Sequence, residues 1–390
     1  MPNVHWWMAS LLCSAVCAQP ALADLNGGGS TLPQPLYQTP GVLSAGFAPY
    51  LGLDQRDREA FLNNDYGALM PGDNSKNVHW IATESKLTSA QLTDYASLHK
   101  PAWGPLIQVP SAATSIAIAF NKPGGALNLS THDLCGIFSG RLVDWSQLYG
   151  SARNGPITVV YPQGSSATTE VFTRFLNARC NESSGPFSPS RYFAYAHPYG
   201  PPANAVTAVG SAQIMATVNA TVGSITFIGA TYAASSLAGL EDGSKVARVD
   251  GVAPTPANIV DTINAIRTPL SPELMPYLSD PNTWVPQFAA NPSPYDPSVV
   301  AYPHVGYPIL GFTNLVFSQC YADATQTAQV RAFFSRHYSV FGLNDTAIRN
   351  NRLQPLPANW KMAIRSTFLT PASALSIGNP NVCNGIGRPL

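Results

Sequence analysis

Charge is what this chain has least of: 21 Lys plus Arg balance 21 Asp plus Glu among 390 residues, so 11% of positions are charged and the formal net charge is zero. Globular proteins usually carry about 25%. A surface so sparsely and evenly charged has no general pull on nucleic acid or anionic membrane, and neither is expected as a partner. Beyond the N-terminal segment no run reaches 18 apolar residues, so no integral membrane segment is expected. The common enzymatic signatures are missing too: there is no H-E-x-x-H, no G-x-S-x-G, no Walker sequence and no G-x-G-x-x-G after a strand. His79, His99, His132, His197, His304 and His337 are scattered, with no pair at metal-ligand spacing, and read as structural or surface side chains. No metal and no cofactor is expected.

Proline and glycine are plentiful, 35 and 30 residues, beside an apolar fraction of 45%. Such a chain is rich in turns and fixed loops without being disordered. At this length two lobes are expected rather than one core. Residues 1–23 contain Trp6, Trp7, Leu11, Leu12 and Val16 and close on Ala21-Leu22-Ala23, which reads as a signal peptide although its n-region holds His5 and no Lys or Arg. Neither Cys13 nor Cys17 follows the small-residue pattern of a lipoprotein signal. Export leaves Cys135, Cys180, Cys320 and Cys383, an even number in an oxidising compartment. Of the three pairings, Cys135 with Cys180 and Cys320 with Cys383 is preferred, because each closes a loop within one half of the chain. A zinc site is disfavoured, since no pair has knuckle spacing.

Strands and helices alternate. Strands are expected at Val78–Ala82, Leu106–Pro110, Ser115–Phe120, Ile157–Tyr161, Gly223–Ile228 and Tyr307–Phe317, and helices at Thr88–Leu98, Ser130–Phe138, Thr169–Ala178, Val206–Val218, Thr325–Tyr338 and Trp360–Phe368. This is α/β organisation. Residues 253–303 are Pro-, Asn- and Ser-rich and read as ordered loop, because Trp284, Val285, Phe288 and Tyr295 need burial.

Three short segments carry chemistry. Gly27-Gly28-Gly29-Ser30-Thr31-Leu32 brings backbone amides and hydroxyls together ahead of an expected helix over 32–37, an anion cradle in outline. Taken alone, such a stretch is more often an ordinary capped turn. Gln163-Gly164-Ser165-Ser166-Ala167-Thr168-Thr169 repeats the arrangement between a strand and a helix N-terminus. Glu84 closes the strand from Val78; a carboxylate beside an oxyanion repels it unless the anion carries a proton to share, as phosphate does at neutral pH and sulfate does not. Its bland alternative is a solvated helix-start residue.

These segments, in this order, resemble the phosphate-binding proteins of the periplasmic binding-protein class, and more closely the DING proteins. The likeness extends through Asn77 to Trp80, Leu134 to Arg141, Gly306 to Asn314 and Asn381 to Gly385. The resemblance implies a two-lobed type II periplasmic binding protein, a Venus flytrap, whose hinge the chain crosses twice: residues 24–107 and 306–390 form one lobe and residues 108–305 the other. It places ligands at Thr31 and Leu32, at Ser166, Ala167 and Thr168, and at Glu84, around phosphate or a related oxyanion or phosphoester. It also implies a periplasmic or secreted location and a transporter or the secretion machinery as a partner class. Two alternatives accompany it: a low-molecular-weight alkaline phosphatase, and a scaffold or adhesion protein that no longer binds a ligand.

The chain departs from that pattern at four places. Relatives have Arg where this chain has Pro162, Asp where it has Glu84, Gly where it has Ala167, and a serine ligand in a small Gly- and Ser-rich loop where it reads Leu53-Asp54-Gln55-Arg56-Asp57-Arg58-Glu59, with Gln55 near the serine's place. The expectation is a degenerate phosphate site, with Arg56 or Arg58 weighed as a replacement cation against an ordinary exposed charged loop.

Overall fold

The computed structural model describes residues 24–53, 55–293, 296 and 298–389. The expected signal peptide, Asp54 and Tyr295 lie outside them. One eleven-stranded sheet runs through the chain, ordered Leu51–Gly52, Gly27–Gly29, Trp80–Thr83, Leu310–Ser318, Leu106–Asn121, Ser224–Gly229, Thr158–Pro162 and Val206–Ala208, with short strands added off this path.

Leu106–Asn121 is the spine. Its first part, Leu106–Ser115, pairs antiparallel with Leu310–Ser318, while Ile116–Asn121 pairs antiparallel with Ser224–Gly229. One strand therefore belongs to both halves of the molecule, and the chain comes back beside it at Leu310, opposite Ser115. The sequence suggests two strands here, broken near Pro110. The structure has one, because Pro110 stands opposite Asn314 where the ladder shifts register, the position at which a residue without an N–H is tolerated.

Each half builds its own packing around this spine. In the first, the Trp80 indole lies flat on Phe317, ring centroids 5.8 Å apart, and Phe47 and Tyr37 pack edge-on against it. In the second, the helix Ala167–Arg179 buries Phe172, Phe175 and Leu176, with Phe172 stacked on Phe227 at 4.4 Å. Disulfides Cys135–Cys180 and Cys320–Cys383 form with the expected pairing. By the chain-entropy argument each contributes about 4 kcal/mol.

Two further differences have local causes. Residues 206–218, expected as helix, divide into the strand Val206–Ala208 and the helix Gly210–Ala220; Gly210 at φ +76° makes the corner. Residues 253–303 hold short helical turns and a parallel strand pair, Gln287–Ala289 with Val299–Ala301, that cover the buried Trp284, Val285 and Phe288. Among the described residues no helix is long and apolar enough to cross a membrane.

His79 and His337 are both 1% exposed and serve the fold. The His79 Nδ1 accepts from the Asn26 amide and its Nε2 bonds the Gln326 amide group, while His337 bonds Ser111 and Asn344. Burial, first of all, holds each imidazole at about 4, below its ordinary 6.5. The unfolded chain therefore takes up protons first, so this stability is complete above pH 6.5 and is lost as pH falls toward 4. Each histidine is expected to cost about 3 kcal/mol by pH 4. Thermal melts across pH 7 to 4 should slope downward, and less steeply in His79→Gln and His337→Gln; a flat profile in the unsubstituted protein contradicts the assignment.

Candidate functional site between the two halves

The glycine triplet does something different from what its sequence suggests. Gly27–Gly29 is a β-strand between two parallel neighbours, Leu51–Gly52 and Trp80–Thr83. A Cβ on Gly27 would meet the Trp80 ring at 2.2 Å, one on Gly28 the Leu51 carbonyl at 2.3 Å, and one on Gly29 the Ala82 carbonyl at 2.2 Å. The glycines let the strands approach; the polar groups come after them. The following helix starts later than expected, at Gln34, and has no side-chain cap. Ser30 Oγ instead accepts from the Leu32 amide at 3.2 Å and donates to Glu84 Oε2 at 2.6 Å. Thr31 Oγ1 shares a hydrogen bond of 2.7 Å with Ser211 Oγ, at the start of the helix Gly210–Ala220 in the other half. The Leu32 side chain is buried against Gly229.

The helix of the second cradle begins two residues earlier than expected. Ser166 is the N-cap, its Oγ accepting from the Thr169 amide at 3.4 Å, and the helix begins at Ala167. The first amides of such a helix lack intrahelical acceptors and lie at its positive end. Ser166, Ala167 and Thr168 are all buried, as is Glu84, which is 7% exposed and so is no solvated helix-start residue. Glu84 shares a narrow cavity of about 20 Å³ with Glu170, Val171 and Arg174 of that same helix. Thr31 lines a larger cleft of about 230 Å³ with Gln55, Pro162, Gly164, Ser165 and Ser211. Pro162 closes the Thr158–Pro162 strand and offers this cleft no donor. Gln55 rests on Gly164, where a Cβ would lie 2.1 Å from its Nε2.

The cation at this junction is one the sequence reading missed. Arg191 donates from Nη2 to Asp57 Oδ1 at 2.8 Å, from Nη1 to Ser85 Oγ at 2.9 Å and from Nε to Ser165 Oγ at 2.8 Å, and its carbonyl accepts from the Ser166 amide. The Arg191 and Asp57 side chains are 8% and 1% exposed. Ser85 in turn donates to Glu170 Oε2 at 2.6 Å, and Glu170 pairs with Arg174. Burial raises the Glu170 pKa, but Arg174, the Ser85 hydrogen bond and Arg191 outweigh it and hold the carboxyl below its ordinary value. Neither proposed replacement takes this place: Arg56 pairs with Asp65 at the surface, and Arg58 donates to the Lys86 carbonyl. Arg191 sits in a turn-rich stretch with no periodicity, so no pattern marks it; Asp57, inside the divergent loop, was the available clue.

A larger cavity, about 590 Å³, lies elsewhere, among Ile266, Leu274, Phe288, Val300 and Trp360, and is lined by none of the expected site residues. Among the described residues no group of three His, Cys, Asp or Glu is placed to hold a metal ion.

The profile of the PBP superfamily domain matches residues 58–290. Alkaline phosphatase L of Pseudomonas aeruginosa strain UCBPP-PA14 is 55% identical over 388 residues, 98% of each chain. The solved structure of PfluDING, a high affinity periplasmic phosphate-binding protein bound with phosphate, is 52% identical with a TM-score of 0.91, over 94% of this chain and all of that one. The chain belongs to the DING family of phosphate-binding proteins. Its mixed α/β fold is that of the type II periplasmic binding proteins. A more distant structure, the phosphate-binding protein of Stenotrophomonas maltophilia, keeps the fold at 35% identity and a TM-score of 0.83, again over 94% of this chain and all of that one.

If the glycines serve strand packing, Gly28→Ala forces a Cβ into the Leu51 carbonyl and is expected to destabilise the protein by about 1 to 3 kcal/mol. A denaturant midpoint unchanged by that substitution would show that the close approach is not needed.

Proposed function

We propose that this protein is an exported binding protein for a phosphoryl oxyanion, either free phosphate or the phosphoryl group of an ester, held where the two cradles meet and bound more weakly than the family pattern implies. The observation that carries this reading is Arg191, a buried guanidinium beside Ser85, Ser165 and the start of the helix Ala167–Arg179. In this reading the Thr31 and Leu32 segment contributes one side of the clamp and Ser166, Ala167 and Thr168 the other. Glu84 accepts the proton that phosphate carries. Arg191 supplies the planar cation that Pro162 cannot. The methyl group of Ala167 and the longer reach of Glu84 crowd the anion, which accounts for the weakening. Two disulfides and the family together support a location outside the cytoplasm, in the periplasm or secreted, with a transporter or the secretion machinery as the partner class.

Calorimetry with phosphate, arsenate and sulfate tests it. Phosphate and arsenate are expected to bind and sulfate to bind much less, with Glu84→Gln erasing the discrimination. Arg191→Ala is expected to weaken phosphate by about thirty-fold or more. Absence of binding for every anion would favour the scaffold reading.

A second reading, hydrolysis of phosphoesters, is favoured by the relative named alkaline phosphatase L. The Ser30 hydroxyl donating to Glu84 at 2.6 Å has the form of a nucleophile on its base. Ser30→Ala and Glu84→Gln should then both abolish turnover of a chromogenic phosphomonoester and phosphodiester. Turnover unchanged in both variants would place the activity elsewhere.

A further inference from the structure

Three donors at the junction are held by the chain's own carboxylates. Ser30 donates a hydrogen bond to Glu84, Ser85 donates one to Glu170, and Arg191 donates from Nη2 to Asp57. These three donors differ in how they release their partners. A hydroxyl rotates at small cost and can redirect its proton to an incoming anion. A buried guanidinium held by a buried carboxylate cannot accept a second full negative charge at the same edge, because the two anions repel in a medium of low polarisability.

We propose that Asp57 is an internal counter-anion: its carboxylate holds the edge of Arg191 that an oxyanion needs, and the exchange of one anion for the other sets the affinity of the site. The inference rests on the oxyanion-binding reading above. Two observations carry it. Asp57 and Arg191 approach from opposite halves of the molecule, Asp57 at the start of the short helix Asp57–Leu62 and Arg191 beside the second cradle, so the pair spans the junction where the ligand is placed. The second oxygen, Asp57 Oδ2, is buried and makes no hydrogen bond among the described residues. A carboxylate desolvated on that side is a poorer partner than an anion that the cradles could surround with donors, so it can be displaced.

Phosphate titrations of the unsubstituted protein, Asp57→Asn and Asp57→Ser, each with and without a matched melting curve, test the proposal. Both variants are expected to melt lower in chloride buffer, since Arg191 loses its partner, and to bind inorganic phosphate about tenfold more tightly or better. Phosphate should also raise their melting temperature more than it raises that of the unsubstituted protein. If one variant does not fold in chloride, the other is measured, and recovery of the first in phosphate but not in chloride counts in favour. A structural ion pair with no part in binding would lower the melting temperature and leave phosphate affinity unchanged or weaker, which would overturn the proposal while the oxyanion reading stands. Absence of phosphate binding in the unsubstituted protein and in both variants would overturn that reading and this inference with it.

Discussion

A guanidinium that is 8% exposed needs acceptors for its donors, and in this protein that requirement organises the junction between the two halves. Arg191 is met by Asp57 from one side and by the hydroxyls of Ser85 and Ser165 from both. Ser85 then donates a hydrogen bond to Glu170, which Arg174 balances in turn. The result is a connected set of charges and hydroxyls in which each member fixes its neighbour's orientation. Removing one member would expose the others' desolvation cost, so the network holds the two cradles in register more firmly than any single bond across the cleft.

That network depends on the continuous strand Leu106–Asn121. It anchors Trp80–Thr83, and so Glu84 and Ser85, through Leu310–Ser318, and it anchors Thr158–Pro162, and so Ser165 and Ser166, through Ser224–Gly229. The polar residues of the site stand just past the ends of strands that converge on this one spine. Ligands in open α/β sheets are bound in such places, and the arrangement explains how segments more than 80 residues apart meet.

Much of this was legible in the sequence, and the rest was hidden for physical reasons. Periodicity located the main helices, because Phe172, Phe175 and Leu176 or Val330, Phe333 and Phe334 must share a face to be buried. The disulfide pairing followed from loop closure within each half. The strands expected at Leu106–Pro110 and Ser115–Phe120 are one in the structure because the ladder skips Ser111 beside the proline, with Pro110 facing Asn314 and Ala112 facing Thr313, an arrangement across two strands that local sequence cannot display. In the Gly27 to Leu32 segment the glycines admit neighbouring strands and Ser30 supplies the hydrogen bonds, a division of labour that depends on strands distant in sequence. Arg191 was invisible because ion pairs between residues 134 positions apart leave no periodic trace.

The central claim is that an oxyanion binds at Arg191 between the cradles, and a crystal structure grown with arsenate tests it most directly. The account predicts an anomalous arsenic peak within hydrogen-bonding distance of the Arg191 guanidinium, the Thr31 and Leu32 segment and the start of the helix Ala167–Arg179, with the Asp57 carboxylate displaced. No peak at the junction, or a peak only at another site while Asp57 stays on Arg191, would contradict it.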